Sequence, residues 1–379
     1  MIKFDDFLVK VRKKNKIHNL HTLLLIKSYK FWDKILSYLF KYSSRCYQRK
    51  TPVHIDKLKN TSLPLKYFSD YFGRFSTSKT LIGNVTYSLD DISVAKYLLK
   101  LTFTEIKNPK LCELATTEIL SKVLAYRSLQ ENMRFFIPIL SPGYTSELVE
   151  YSVDTLFDLW HGHVAFGLYP LDHPTASSIL LFRGTDFSLV SEGGRASILS
   201  DLDPEGPGMR LFLNARSNLR HWLTQMHRLH KPARVLGHSL GGALALYTWL
   251  HEYKLLSQTP HGLSYAYNPP GVHRDLLGLW HEIPKDFHPF FHTLVTRGDI
   301  IPKFGNLLGH TYEIFTSKPL SPIISHEQLI FSQPISYLTQ VDIEKENLSP
   351  SRKYYSNIHK HTTSLAYKFG LKHLLPKSF

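Results

Sequence analysis

Val235-Leu236-Gly237-His238-Ser239-Leu240-Gly241-Gly242-Ala243-Leu244-Ala245-Leu246 sets the fold class of this chain. An apolar run enters a Gly-x-Ser-x-Gly turn and leaves it into a small-residue, Leu-rich segment of helical character: the strand, sharp turn and helix of a nucleophile elbow. A serine on so tight a turn carries a strained backbone. Its neighbours two positions away must therefore lack bulk, and Gly237 and Gly241 do. The following helix points its N-terminal N–H groups and partial positive charge at the place where an oxyanion would form. Ser239 is the candidate nucleophile.

A serine hydroxyl becomes a good nucleophile only when a histidine takes its proton, and a carboxylate must hold that histidine in the right tautomer. On an elbow of this kind the order along the chain is Ser, Asp, His. Val295-Thr296-Arg297-Gly298-Asp299-Ile300-Ile301-Pro302 puts Asp299 in the turn after a β-rich run. That makes it the candidate acid ahead of Asp275, Glu282 and Asp286, none of which follows so clear a strand. Upstream, Leu181-Phe182-Arg183-Gly184-Thr185-Asp186 ends a strand with a small residue and a hydroxyl. Such a loop offers a backbone N–H and a side-chain O–H which, with the N–H of Leu240, make the two or three donors that acyl transfer needs.

Around the elbow, residues 164–169, 177–182, 234–236, 262–268 and 291–295 read as strands. Residues 90–101, 108–127 and 147–159 read as helices, from their spacing and from the Asp and Asn-Pro start signals before the first two. The alternation predicts an α/β fold with a mostly parallel sheet and helices on both faces. Residues 51–88 hold Pro52, Pro64, Gly73 and Gly83 among polar residues and read as linker or irregular cover. Residues 138–144 read as a loop. Between Thr185 and the helix near Met209, the segment 187–207 mixes Leu189, Val190, Ile198 and Leu199 with glycines and acids.

With 43% hydrophobic and 20% charged residues, the 379-residue chain has the composition of a globular protein and room for a large core. Its formal charge of +15 is unevenly placed: residues 1–60 carry 15 Lys/Arg against 4 Asp/Glu, or +11 of the total, leaving the catalytic region near neutral. Within residues 18–42, Leu25, Tyr29, Trp32, Leu36 and Leu39 recur at helical spacing opposite Lys27, Lys30, Lys34 and Lys41. This basic helical extension suits an anionic membrane surface, or packs its apolar stripe on the main domain. No nucleic-acid module accompanies it. The organisation expected is a basic arm and linker over 1–75 and a catalytic domain over 76–379, with helices 90–127 as its cover.

Two cysteines, Cys46 and Cys112, lack the spacing of a disulfide framework or a metal site, and the scattered histidines lack zinc-ligand spacing, so no metal is expected. Cys112 reads as a buried small hydrophobe. The N-terminus has no signal-peptide pattern and no stretch has transmembrane length, which suggests a cytoplasmic or peripheral-membrane location.

Taken in order and spacing, Phe182-Arg183-Gly184-Thr185, Gly237-His238-Ser239-Leu240-Gly241-Gly242-Ala243 and Asp299-Ile300-Ile301-Pro302 resemble the class 3 (fungal-type) lipases, over roughly residues 164–379. The resemblance implies an α/β-hydrolase fold and Ser–His–Asp hydrolysis of carboxylic esters in acylglycerols or phospholipids, with no cofactor. It implies Ser239 as nucleophile, Asp299 as acid, Thr185 and Leu240 as oxyanion donors, a structural Arg183, and a lid over 187–207. It places the base late in the chain, heading the last helix, where His361 is favoured over His359. His326 is the third candidate, and His310 matches a non-catalytic segment. The rival expectation is a catalytically silent scaffold of the same fold that binds lipid, membrane or a protein partner.

Overall fold

The computed structural model describes residues 79–82, 85–88, 92–185, 200–201, 203, 205–273, 276–316, 322–327, 329–330, 335–350, 352–354, 357 and 364. The basic segment 18–42, Cys46, most of 187–207, His359 and His361 lie outside them.

Strands β1 (Lys79–Ile82) and β2 (Val85–Ser88) form an antiparallel hairpin inside the stretch expected to be irregular. Helices α1 (Ser93–Glu105) and α2 (Pro109–Lys122) follow, the second opened by Asn108, whose side chain accepts from the N–H of Leu111, and by Pro109 in its first turn. Next come β3 (Arg134–Leu140), β4 (Ser146–Trp160), β5 (His163–Pro170) and β6 (Ile179–Phe182). Helix α3 (Met209–Arg228), strand β7 (Arg234–His238), helix α4 (Leu240–Glu252), strand β8 (Ser264–Tyr267) and helix α5 (Leu276–Glu282) succeed them. The chain continues through β9 (Phe291–Thr296), β10 (His310–Thr316), α6 (Pro322–Glu327), β11 (Ile335–Gln340) and α7 (Ile343–Asn347).

Nine of these strands make one sheet, in the order β11-β10-β9-β8-β7-β6-β5-β4-β3. The ladders from β6 to β10 are parallel, whereas β3–β4, β4–β5, β5–β6 and β10–β11 are antiparallel. The sheet is thus evenly mixed rather than mostly parallel. Alternation along β6 separates two cores: Ile179 and Leu181 face α1 and α2, while Leu180 and Phe182 face α3 and α4. On that second face Met209, Phe212, Ala215, Leu219, Trp222, Leu223 and Met226 form the buried stripe of α3, at the spacing of an amphipathic helix. Helix α4 is enclosed on nearly every side, which its uniformly apolar sequence allows.

The segment expected as a helix over 147–159 is the 15-residue strand β4. Its apolar positions Val149, Val153, Leu156, Phe157 and Trp160 mimic helical spacing because the pairing with β5 shifts between Val153 and Thr155, and again between Asp158 and Trp160. An extra residue in one strand reverses which face the following side chains take. Val149, Tyr151 and Val153 accordingly join the α1/α2 core, whereas Phe157 and Leu159 join the α3/α4 core. Strand β3 likewise begins before, and runs into, the stretch read as a loop.

Candidate active site

Ser239 follows β7 directly and caps α4, with φ 57° and ψ −128°. Few side chains tolerate that backbone, and it turns the hydroxyl out of the sheet's end. Two close approaches permit it. A Cβ on Gly237 would strike the Gly241 carbonyl, and one on Gly241 would lie 2.6 Å from the Phe182 carbonyl oxygen. The Ser239 N–H donates to the Tyr267 carbonyl at 2.9 Å, tying the elbow to β8.

Asp299 lies in the turn after β9, reached through Gly298 at φ 101°, and is buried. One of its carboxylate oxygens accepts from the Ile301 N–H at 2.9 Å. The other meets Nδ1 of His326 at 2.7 Å, and Nε2 of the same ring lies 2.9 Å from Ser239 Oγ. With Nδ1–H donated to the carboxylate, Nε2 is the lone-pair nitrogen that accepts the serine proton. Serine, histidine and aspartate are each at most 6% exposed, so their hydrogen bonds act where water competes little.

The histidine between Ser239 and Asp299 is thus His326, not the favoured His361 or its alternative His359, both of which lie outside the described residues. The reason is topological. Strand β10 is parallel to β7 and β9, so the chain leaving it emerges at the same edge as Ser239 and Asp299, and α6 sits there. Functional groups of open α/β sheets collect at the carboxyl ends of parallel strands, and that rule was the available signal for His326. His310 pairs with His292 at the amino end of β10, away from that edge.

Gly184 brings the β6 loop against the elbow: a Cβ there would meet the Tyr126 hydroxyl and lie 2.5 Å from the His238 carbonyl oxygen. Arg183 is held by the carbonyls of Ala125 and Arg127, at 2.8 and 2.9 Å. Its neighbour Thr185 is buried, and its hydroxyl donates to Asp201 at 2.9 Å. The side-chain proton expected to face an oxyanion is therefore directed at a carboxylate. Cys112 is buried on α2, as its apolar neighbours suggested.

Among the described residues, His238, His326 and Glu327 bring ligand-type atoms within 4.8 Å of one another. A cation there would have to compete for a ring already bonded to Ser239 and Asp299, and for His238 Nε2, which lies 2.8 Å from the His326 carbonyl. Beneath the elbow, burial drives the Tyr267 hydroxyl well above its ordinary range, so it stays protonated. It donates to the Leu114 carbonyl at 2.8 Å and joins β8 to α2.

No family model and no curated protein matches the chain. Among solved structures it is similar to a mutant MDLA from Penicillium cyclopium, with 20% identity over 45% of this chain and 65% of that one and a TM-score of 0.30. A fungal lipase shares 17% identity over 56% of this chain and 81% of its own, with a TM-score of 0.33. The Rhizomucor miehei lipase–propeptide complex shares 14% over 77% and 90%, with a TM-score of 0.31. The chain spans slightly under two thirds of the first of these structures.

Proposed function

We propose that this chain is a serine hydrolase of the α/β-hydrolase fold that cleaves carboxylic esters of lipids. The observation that carries the reading is the continuous hydrogen-bonded series Ser239 Oγ, His326 Nε2, His326 Nδ1 and Asp299 Oδ2, built on a strained elbow at the carboxyl edge of the parallel strands. The ester and lipid class rests on the motif resemblance around Arg183, Ser239 and Asp299.

In this mechanism Ser239 Oγ attacks the ester carbonyl carbon as its proton passes to His326 Nε2, and Asp299 stabilises the resulting imidazolium. The developing oxyanion is met by backbone N–H groups of Leu240, at the start of α4, and of Thr185. Collapse of the tetrahedral intermediate breaks the bond to the leaving alkoxide, which takes the proton from His326 and departs as an alcohol. Water, deprotonated by the same imidazole, then attacks the acyl-enzyme and releases the carboxylic acid and free Ser239.

A fluorophosphonate probe tests this directly, because it labels an activated serine and not a mere Gly-x-Ser-x-Gly turn. The folded wild type should be labelled and Ser239→Ala should not. A wild type that stays unlabelled, or labelling that survives the substitution, would leave the silent scaffold as the better reading.

A further inference from the structure

The main-chain carbonyl of His326 is gripped from two sides. His238 Nε2 lies 2.8 Å from it, and Asn268 Nδ2 lies 3.2 Å from it while also reaching the Ser325 carbonyl at 3.0 Å. Asn268 is itself fixed: its Oδ1 accepts from the Thr296 N–H at 2.8 Å, its Nδ2 reaches Thr296 Oγ1 at 3.2 Å, and its own N–H donates to the Leu294 carbonyl at 2.8 Å. It holds φ 46°, a left-handed backbone that asparagine tolerates better than most residues. On the other side, donation from Nε2 leaves His238 Nδ1 as an acceptor, and the Tyr126 hydroxyl stands 3.5 Å from it. The rings of His238 and His326 are 4.7 Å apart. Just beyond, the Ile330 N–H donates to Glu118 Oε1 at 2.7 Å.

This matters because α6, which carries His326, is only six residues long, too short to hold a side chain by helical rigidity alone. A general base must stay within a few tenths of an ångström of its partner, and a misplacement of 1 Å costs about a hundredfold in rate. We propose that His238 and Asn268 are positioning residues: by clamping the carbonyl of His326 they place its Nε2 on Ser239, so the residue preceding the nucleophile supports the base rather than the substrate. This inference rests on the proposed Ser239–His326–Asp299 mechanism. It assigns His238 a fixed tautomer, with the proton on Nε2.

The test measures hydrolysis of a soluble short-chain ester per serine titrated by the fluorophosphonate, so that loss of folded protein does not enter the rate. His238→Leu, which cannot donate, should lower kcat roughly a hundredfold with KM unchanged. His238→Gln, which restores an N–H donor, should recover most of that loss. Asn268→Asp keeps the acceptor for the Thr296 N–H and removes the donor, and should act in the same direction. It also decides the matter if His238→Leu does not fold. Unaltered kcat per titrated serine in His238→Leu, or in Asn268→Asp where the former is insoluble, would overturn the proposal. So would failure of His238→Gln to outperform His238→Leu. Should the wild type itself neither label nor turn over, the hydrolase reading fails, and the clamp is decided by NMR. The His326 Nδ1 proton, bonded to Asp299, should exchange faster in both donor-less variants, and equal protection would refute the clamp.

Discussion

The two halves of the sheet do different things with similar material. From β6 to β10 the strands are four to seven residues long, parallel and packed by helices on both faces. From β3 to β5 they are antiparallel, reach 15 residues in β4, and leave Phe136, Leu148 and Leu156 in solvent. Parallel strands all end at one edge, so the loops after β7, β9 and β10 bring Ser239, Asp299 and His326 together from positions 87 residues apart along the chain. Antiparallel strands deliver successive loops to opposite edges, and no comparable convergence follows. The parallel half is therefore where substitutions should remove chemistry, and the antiparallel half where they should remove stability.

The largest expected effect tests the first part of that statement. His326→Ala should lower ester turnover roughly 10⁴- to 10⁶-fold, since triad members act as a unit. His361→Ala and His359→Ala should leave it within a fewfold of wild type. Steady-state kinetics showing the reverse would move the base out of the loop after β10 and break the comparison at its centre.

In the antiparallel half the corresponding probe is Trp222. It is packed so closely over Gly167 of β5 that a Cβ there would lie 2.8 Å from the indole, and its Nε1 donates to Asp154 of β4 at 2.7 Å. Trp222→Ala should cost about 3–5 kcal/mol in a denaturant titration. The kcat of the molecules that remain folded should not change. A large drop in kcat at full folding would show that the two halves are not separable.

A smaller effect concerns His163 at the start of β5. Burial, reinforced by the Arg183 guanidinium, pushes its pKa down to about 3 from an ordinary 6.5. The folded state thus prefers the neutral ring, whereas the unfolded chain binds a proton below 6.5. The stability attached to this residue is complete above pH 6.5 and is lost progressively as pH falls toward 3, by about 1.4 kcal/mol per unit within that window. His163→Gln should flatten the fall in unfolding free energy between pH 6.5 and 4. An unchanged slope would mean that other groups carry the acid sensitivity.

What was legible in the sequence follows the same division. The elbow was readable because one residue's strained backbone demands Gly237 and Gly241 at fixed offsets, and β5 to β9 because short strands buried on both faces are continuous apolar runs. Strand β4 was not readable, because its bulges convert a period of two into helical spacing at Val149, Val153, Leu156 and Phe157. His326 stood only third among the candidate bases because no local pattern announces it: Ser325-His326-Glu327 lies in a short helix after β10, and its place is set by strand direction. The clamp left no local trace either, since His238 reads only as part of the elbow motif and Asn268 as the last residue of a strand.

The bond from the Ile330 N–H to Glu118 spans 212 positions, and Glu118 is also paired with Lys122 at 2.8 Å, both side chains about 1% exposed. Synthesis proceeds from the N-terminus at about 5–20 residues per second, so α2 exists for roughly 10–40 seconds before the segment that completes its buried acid has been made. Ser239 joins the chain only part-way through that interval, 87 residues and roughly 4–17 seconds before His326. On the proposed mechanism the serine of a nascent chain therefore has no base until synthesis has passed His326, and the two halves of its chemistry are delivered one after the other.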